Sequence, residues 1–301
     1  MNTTLFPTVP TGRVDVVLDT DTYNEIDDQY AIAYLLRSEE KLNCLAMYAA
    51  PFSNNQTRVD EGMEKSYDEL LKILRLCGRE DMIEHCYKGA DRYLPSEDEP
   101  VCSDAAYDLV RRANAHTVED PLYVVAIGAI TNVASALLID PSIADKIVVV
   151  WLGGHALHWK DTKEFNMLQD VAAARVVFSK ATRLVQLPCM GVVSSFTVSE
   201  PELEHWLIGV NPLCDYLAKN TIRYENQWNK GRPWAKQIWD VTAVAWLLNE
   251  NDRFMEAIPM PVHMPEYDHR YGLPTGDRLM LYVRHIDRTR LMEDLFHKLR
   301  R

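Results

Sequence analysis

The sequence has no run of lysines and arginines, no apolar stretch long enough to span a membrane, and no cysteines at C-x-x-C spacing. Each absence excludes something. Lys and Arg number 32 against 44 Asp and Glu, for a net charge of −12, so nothing offers a nucleic-acid polymer a track of positive charge. A membrane helix needs roughly 20 consecutive apolar residues, and no such run occurs. The six cysteines (Cys44, Cys77, Cys86, Cys102, Cys189 and Cys214) are scattered, and no histidine is spaced to share a zinc ion with them. They read as mostly buried thiols of a reducing cytosol. The opening MNTTLFPTVPTGR lacks a basic segment followed by an apolar one, so no export leader is expected and the protein is placed in the cytoplasm. Internal repeats and low-complexity blocks are missing as well.

What is present is a chain of 301 residues, 47% hydrophobic and 25% charged, enough to bury the core of one large domain over residues 1–301. Strand and helix patterns alternate along it. Val14 to Leu36 reads VDVVLDTDTYNEIDDQYAIAYLL: an apolar strand, then Asp19, Asp21, Glu25, Asp27 and Asp28, then an amphipathic helix. Further strands are expected at Leu42–Ala49, near Ile83–Tyr87, at Leu122–Ile127, Ile147–Leu152, Arg183–Leu187 and Leu279–His285. Helical spacing marks Thr57–Leu76, Cys102–Ala115, the segment after Gly128, the segment VAAARVVFS, a mostly helical stretch from Glu200 to Leu248, and Thr289–Leu299. GGHALHWKDTKEFNMLQD is expected as a long polar loop. The fold class is therefore α/β: an open, mainly parallel, Rossmann-like sheet flanked by helices, with a helical addition late in the chain.

Polar groups recur where strands end. The acid cluster follows the first strand, Asn54-Asn55 the second, Thr131-Asn132 the fourth, and Glu164-Phe165-Asn166 with Asp170 comes after the fifth. Asp240 opens a later helix, where a carboxylate suits the positive end of the helix dipole. Asn and Asp are favoured at caps and turns for purely local reasons. Their recurrence along one edge of a parallel sheet, where such sheets bind ligands, points instead to a site. Several buried carboxylates in one small volume need a cation or must stay protonated. The inventory is oxygen-only, which suits a hard cation, Ca²⁺ or Mg²⁺, and the hydroxyls of a sugar.

Five of these blocks, in order and at comparable spacing, carry a resemblance. Asp19-Thr20-Asp21 with Asp27-Asp28, Asn54-Asn55-Gln56, Gly128-Ala129-Ile130-Thr131-Asn132, Glu164-Phe165-Asn166 with Asp170, and Trp239-Asp240 are similar to blocks of the inosine-uridine-preferring nucleoside hydrolase family. The resemblance covers essentially the whole chain. It implies a metal-dependent N-ribohydrolase that cleaves a ribonucleoside, or a related N-riboside, to ribose and free base in nucleoside catabolism and salvage. Ca²⁺, in preference to Mg²⁺, would be held by Asp21, Asp28, Asp240 and the carbonyl of Thr131, with Asp19 as a further candidate ligand. Asp27, Asn55, Glu164 and Asn166 would grip the ribose hydroxyls, and Asp21 would take a proton from the attacking water. The partner implied is a small-molecule nucleoside, with assembly as a homodimer or homotetramer.

Two departures from the family pattern stand out. Five residues, Thr22 to Ile26, separate the D-x-D from the D-D where the family has three, and Asn24 and Glu25 stand in that longer loop. Trp239 occupies the place of a histidine, and an indole cannot protonate a leaving base. The remaining base-side donors are His155, His158, Tyr224 and Arg232, with Trp228, Trp234 and Trp239 as stacking surfaces. Two other readings stay open at this point. VVLDTDT also fits the D-x-D-x-T of haloacid-dehalogenase-like phosphatases, with Asp19 as nucleophile, Asp21 as acid/base and Mg²⁺ as metal; the adjacent Asp27-Asp28 and the lack of a later lysine and acidic-pair block count against it. A Ca²⁺-dependent nucleoside or sugar binder without turnover is the other.

Overall fold

The computed structural model describes residues 6–274 and 276–301; the first five residues, on which part of the leader reading falls, lie outside it. Strand β1 (Val14–Thr20) leads to helix α1 (Asp28–Leu36), β2 (Leu42–Ala49) to α2 (Val59–Leu76), and β3 (Cys86–Lys88) to α3 (Asp104–Ala113). The pattern continues through β4 (Leu122–Ala126), α4 (Thr131–Ile139), β5 (Ile147–Leu152), α5 (Phe165–Gln169), α6 (Val171–Lys180) and β6 (Leu184–Leu187). The later part holds β7 (Thr197–Val198), α7 (Glu200–Trp206), α8 (Pro212–Asn229), β8 (Lys236–Gln237), α9 (Val241–Trp246), β9 (Met255–Pro261), β10 (Leu279–Ile286) and α10 (Arg288–Leu299).

Eight strands form one sheet in the order β3-β2-β1-β4-β5-β6-β10-β9. All neighbours are parallel except β9 and β10. Alternation along each strand explains how both faces are covered. Val16 and Leu18 join one apolar cluster with α1, α9 and α10, while Val17 joins the other with α3, α4 and α6. Helix α1 is buried along its whole length, between the sheet and α2, α9 and α10. No helix among the described residues is long and apolar enough to cross a membrane.

The strand order reverses between β1 and β4, which pair from Val16↔Tyr123 to Asp19↔Ala126. Beyond their carboxyl ends the chains part to opposite faces, which is where an open α/β sheet leaves its crevice. Asn132, at the start of α4, fastens this point. Its Nδ2 donates to Asp19 Oδ1 at 2.8 Å and to Ala49 O at 3.3 Å, and its Oδ1 accepts from Ala90 N at 2.8 Å. Gly89 makes this possible, since a Cβ there would lie 2.4 Å from Asn132 Nδ2 and 2.0 Å from Ala49 O.

Three expectations change. The strand near Ile83–Tyr87 is mostly a 3₁₀ turn over Glu80–His85, with only Cys86–Lys88 reaching the sheet, because three of those turn residues are acidic and Met82 alone is buried. The long polar loop after β5 contains α5, capped by Glu164, whose carboxylate accepts from Asn166 N and Met167 N. The late region is not wholly helical: β7 and β8 pair there, and β9 adds an antiparallel edge that Pro259 and Pro261 hide from a propensity reading.

Asn132→Ala strands the Ala90 N–H and a carboxylate oxygen of Asp19 in the interior. Urea unfolding is expected to show a loss of about 3 kcal/mol, and a loss below about 1 kcal/mol would mean that this junction is held by packing instead.

Candidate active site

At the switch point lies a cavity of about 250 Å³. The loop from Asp21 to Asp28 forms one wall, with Asp21, Asn24, Glu25, Asp27 and Asp28 lining it. Asp240, the residue before α9, enters from across the site. One carboxylate oxygen from each of Asp27, Asp28 and Asp240 lies within 4.8 Å of the other two. The opposite wall is built from Ile127, Leu152, His155, Lys163, Glu164 and Asn166, with Cys189, Met190 and Trp239 beside them.

Local structure aims these groups. Asp27 precedes α1 but makes no side-chain capping bond, so its carboxylate stays available. Asp28, in the first turn, accepts from Thr20 Oγ1 at 2.5 Å. Asp21 abuts Gly128, where a Cβ would fall 2.9 Å from Asp21 Oδ1 and 3.1 Å from its amide nitrogen; a glycine at that position leaves room for the acid. Glu164 accepts backbone N–H groups from Gly154, Asn166 and Met167 at 2.8–3.0 Å, which fixes its head. Asn166 spends Nδ2 on the carbonyls of Ile127 and Leu152, at 3.1 and 3.0 Å, leaving Oδ1 to accept from a ligand.

Burial dominates the electrostatics. It pushes Asp28 up to about 8, with repulsion from Asp27 adding to it, and holds Asp21 and Asp240 well above the usual carboxylate range, again with their acidic neighbours contributing. Asp27 rises less, to about 6, because Lys236 offsets part of the burial. Glu164 is raised to about 7 by burial, against its three N–H donors. Asp21 Oδ2 is buried with no hydrogen-bond partner. Crowded carboxylates, an unpartnered buried oxygen and an all-oxygen donor set fit a bound hard cation. His155 is shifted the other way, lowered by burial, and its Nδ1 accepts from Met190 N at 3.3 Å. The imidazole is therefore neutral at pH 7 and carries its proton on Nε2.

The sequence-level candidates divide cleanly by position. Asp21, Asp27, Asp28, Glu164, Asn166, His155, Trp239 and Asp240 meet at the cavity. Thr131 does not: it is fully buried, its hydroxyl donates to Asp170 Oδ2 at 2.7 Å, and Ile127, one residue before Gly128, is the strand-end group at the wall. Asn55 sits in an exposed turn closed by the Asn54↔Thr57 bridge, away from the cavity. Asp19 lies behind the site, bonded to Asn132, and is raised to about 7 by burial. Asp170 caps α6 and accepts from Leu94 N and Thr131. His158 and Arg232 are exposed, Trp228 is 74% exposed, and Trp234 does not line the cavity. Tyr224 lines a neighbouring cavity and lies against Lys236.

Sequence reasoning missed Ile127, Lys163, Cys189, Met190 and Lys236. Ile127 looks like any apolar strand end, and Lys236 is a single cation four residues before Asp240, with no motif to mark it.

Residues 16–291 match the family model described as inosine-uridine preferring nucleoside hydrolase. The pyrimidine-specific ribonucleoside hydrolase RihA of Escherichia coli O81 (strain ED1a) is 25% identical over 260 residues, covering 77% of this chain and 79% of that protein. In structure, the chain is similar to a purine-preferring ribonucleoside hydrolase from Gardnerella vaginalis, with a TM-score of 0.76, 19% identity, and coverage of 95% of this chain and 98% of that one. The plant nucleoside hydrolase PpNRh1 superposes with a TM-score of 0.74 at 19% identity, over 95% and 98% of the two chains. Neither the phosphatase nor the non-catalytic reading finds support in these similarities. With a family match across nearly its full length and a carboxylate-lined cavity at the switch point of the sheet, the chain belongs to the inosine-uridine preferring nucleoside hydrolase family and is an N-ribohydrolase.

Proposed function

We propose that the enzyme hydrolyses the N-glycosidic bond of a ribonucleoside with Asp21 as the base and Ca²⁺ as the metal, in cytoplasmic nucleoside catabolism and salvage. The carrying observation is the convergence of Asp21, Asp27, Asp28 and Asp240, all buried, on one cavity. Six free cysteines support the cytoplasmic placement.

Asp21, Asp28 and Asp240 would hold the cation. When bound, it supplies an anchor for the ribose hydroxyls and lowers the pKa of the attacking water. Asp27, Glu164 and Asn166 grip the ribose, a set of acceptors matched to hydroxyl donors. These contacts place the anomeric carbon against the acid wall. As the C–N bond breaks, positive charge develops on the sugar ring, and the surrounding carboxylates favour it. Asp21, with an unpartnered oxygen, takes the proton of the incoming water. Across the cavity, Trp239 offers an apolar face to the base and His155 offers Nε2–H as a hydrogen-bond donor to the departing nitrogen or carbonyl.

Asp21→Asn is expected to lower kcat about 10²- to 10⁴-fold with little change in KM, as read by ribose release in a reducing-sugar assay. Full activity in that variant would remove Asp21 from the role of base. A chelator is expected to abolish ribose release and Ca²⁺ to restore it, whereas activity that survives exhaustive chelation would overturn the metal assignment.

The pH dependence follows from the same carboxylates. Asp19 and Glu164 at about 7 and Asp28 at about 8 keep protons in the metal-free folded protein that the unfolded chain releases above about 4. The folded state therefore binds more protons than the unfolded one between about pH 4 and 8, and stability falls as pH rises through that window. Calorimetry on chelator-treated protein should show the melting temperature dropping from pH 5 to pH 8, with added Ca²⁺ raising it more at pH 8 than at pH 5. A melting temperature that is flat or rising in chelator would show that these groups are not buried as described.

A further inference from the structure

The acids of the site come from two distant parts of the chain. Asp27 and Asp28 follow the loop 22–26, and Asp240 follows β8. Packing of α1 against α9 brings the two segments together, and repulsion among the acids opposes that approach whenever they are ionised, as they must be to hold a cation. The direct hydrogen bond between them, from Asp240 N to Asp27 Oδ2, is long at 3.4 Å. A second tie is an ion pair from Lys236 Nζ to the carboxylate of Glu25.

Each end of that pair is anchored. Lys236 is 6% exposed and lies on β8, where it pairs with Val198 of β7, and its ammonium sits 5.2 Å from the centre of the Tyr224 ring on α8. Two residues on, Ile238 N donates to Phe196 O at 3.0 Å, and Asp240 follows at the start of α9. On the loop side, the buried Gln29 donates Nε2 to Thr22 O at 2.8 Å and to Glu25 O at 3.4 Å. Thr22 to Ile26 contains neither proline nor glycine; the loop opens with a turn closed by Asn24 N donating to Asp21 O at 2.8 Å, and beyond that turn these side-chain contacts hold it.

We propose that Lys236 is a positioning residue of this N-ribohydrolase: by gripping Glu25 it draws the 22–26 loop onto β8 and sets the separation between the Asp27–Asp28 pair and Asp240. The inference rests on the reading of the site given above. An ammonium is suited to the task because it attracts Glu25 and Asp27 together and so opposes the repulsion within the cluster. The ammonium is the buried end of the pair, so replacing Lys236 leaves Asp27 without its neighbouring cation, whereas replacing Glu25 leaves Lys236 facing Asp27 alone.

The test compares wild type with Lys236→Met, Lys236→Arg, Glu25→Gln and the Lys236→Met/Glu25→Gln double variant. The readouts are Ca²⁺ affinity by calorimetry on metal-stripped protein, kcat and KM for ribonucleosides, and melting. Lys236→Met and Glu25→Gln are each expected to weaken Ca²⁺ binding and lower kcat by about 10-fold or more. Lys236→Arg should recover most of both, and the double variant should be no worse than the poorer single, because both act through one contact. The proposal is overturned if folded Lys236→Met binds Ca²⁺ and turns over within about twofold of wild type, or if the two losses multiply in the double variant. Should Lys236→Met fail to fold, Glu25→Gln, altered at a side chain 35% exposed, decides by the same thresholds. If the wild type released no ribose from any nucleoside, the substrate reading would fail on its own, and the Ca²⁺ affinities of the variants would still decide the role of Lys236.

Discussion

Carboxylates crowded away from water impose the constraint to which the rest of this molecule answers. Each of the four aspartates at the cavity is nearly without solvent contact, and burial is the first cause of the upward shift of each. A fold can tolerate such a cluster only by surrounding it with partners that fix its geometry and by leaving room for a countercharge. Both provisions are visible. Thr20, Gln29 and the N-terminal turn of α1 hold the loop from within, and the helix α9 opens on Asp240 from outside. Lys236 provides one positive charge, which is fewer than the acids it faces.

The parallel sheet makes this arrangement possible because it brings chain segments far apart in sequence to one edge. Asp21 leaves β1, Ile127 leaves β4, and Glu164 and Asn166 lie after β5, three strands adjacent in the sheet although spread over nearly half the chain. Asn132 and Gly89 show the cost of such convergence in packing terms. A single amide bridges three strand ends, and the backbone beside it has no space for a methyl group.

Much of the fold was legible in the sequence, since buried strands such as Ile147–Leu152 and the amphipathic α2 announce themselves by period. The elements that stayed hidden are those whose reason is tertiary: a proline-bearing edge strand, a two-residue pairing of β7 with β8, and a one-turn helix capped by a glutamate that lines the cavity. The site followed the same division. Acids fixed by the local strand-to-helix geometry, Asp21, Asp27 and Asp28, could be read from their spacing. Asn55 and Thr131 do not line the cavity: Asn55 sits in an exposed turn, and Thr131 is buried in the first turn of α4, four residues beyond the wall residue Ile127. For the tryptophans, composition carries no direction: Trp239 reaches the site while Trp228 stands in solvent.

The edges of the sheet have a consequence of their own. A parallel sheet ends in strands whose free amides and carbonyls invite any extended chain to add on. Here one end is β3, three residues long, and the other is β9, where Pro259 and Pro261 lack the donor that a further strand would need. Both margins are thereby poor templates for a further strand, so an added chain gains little by extending the sheet.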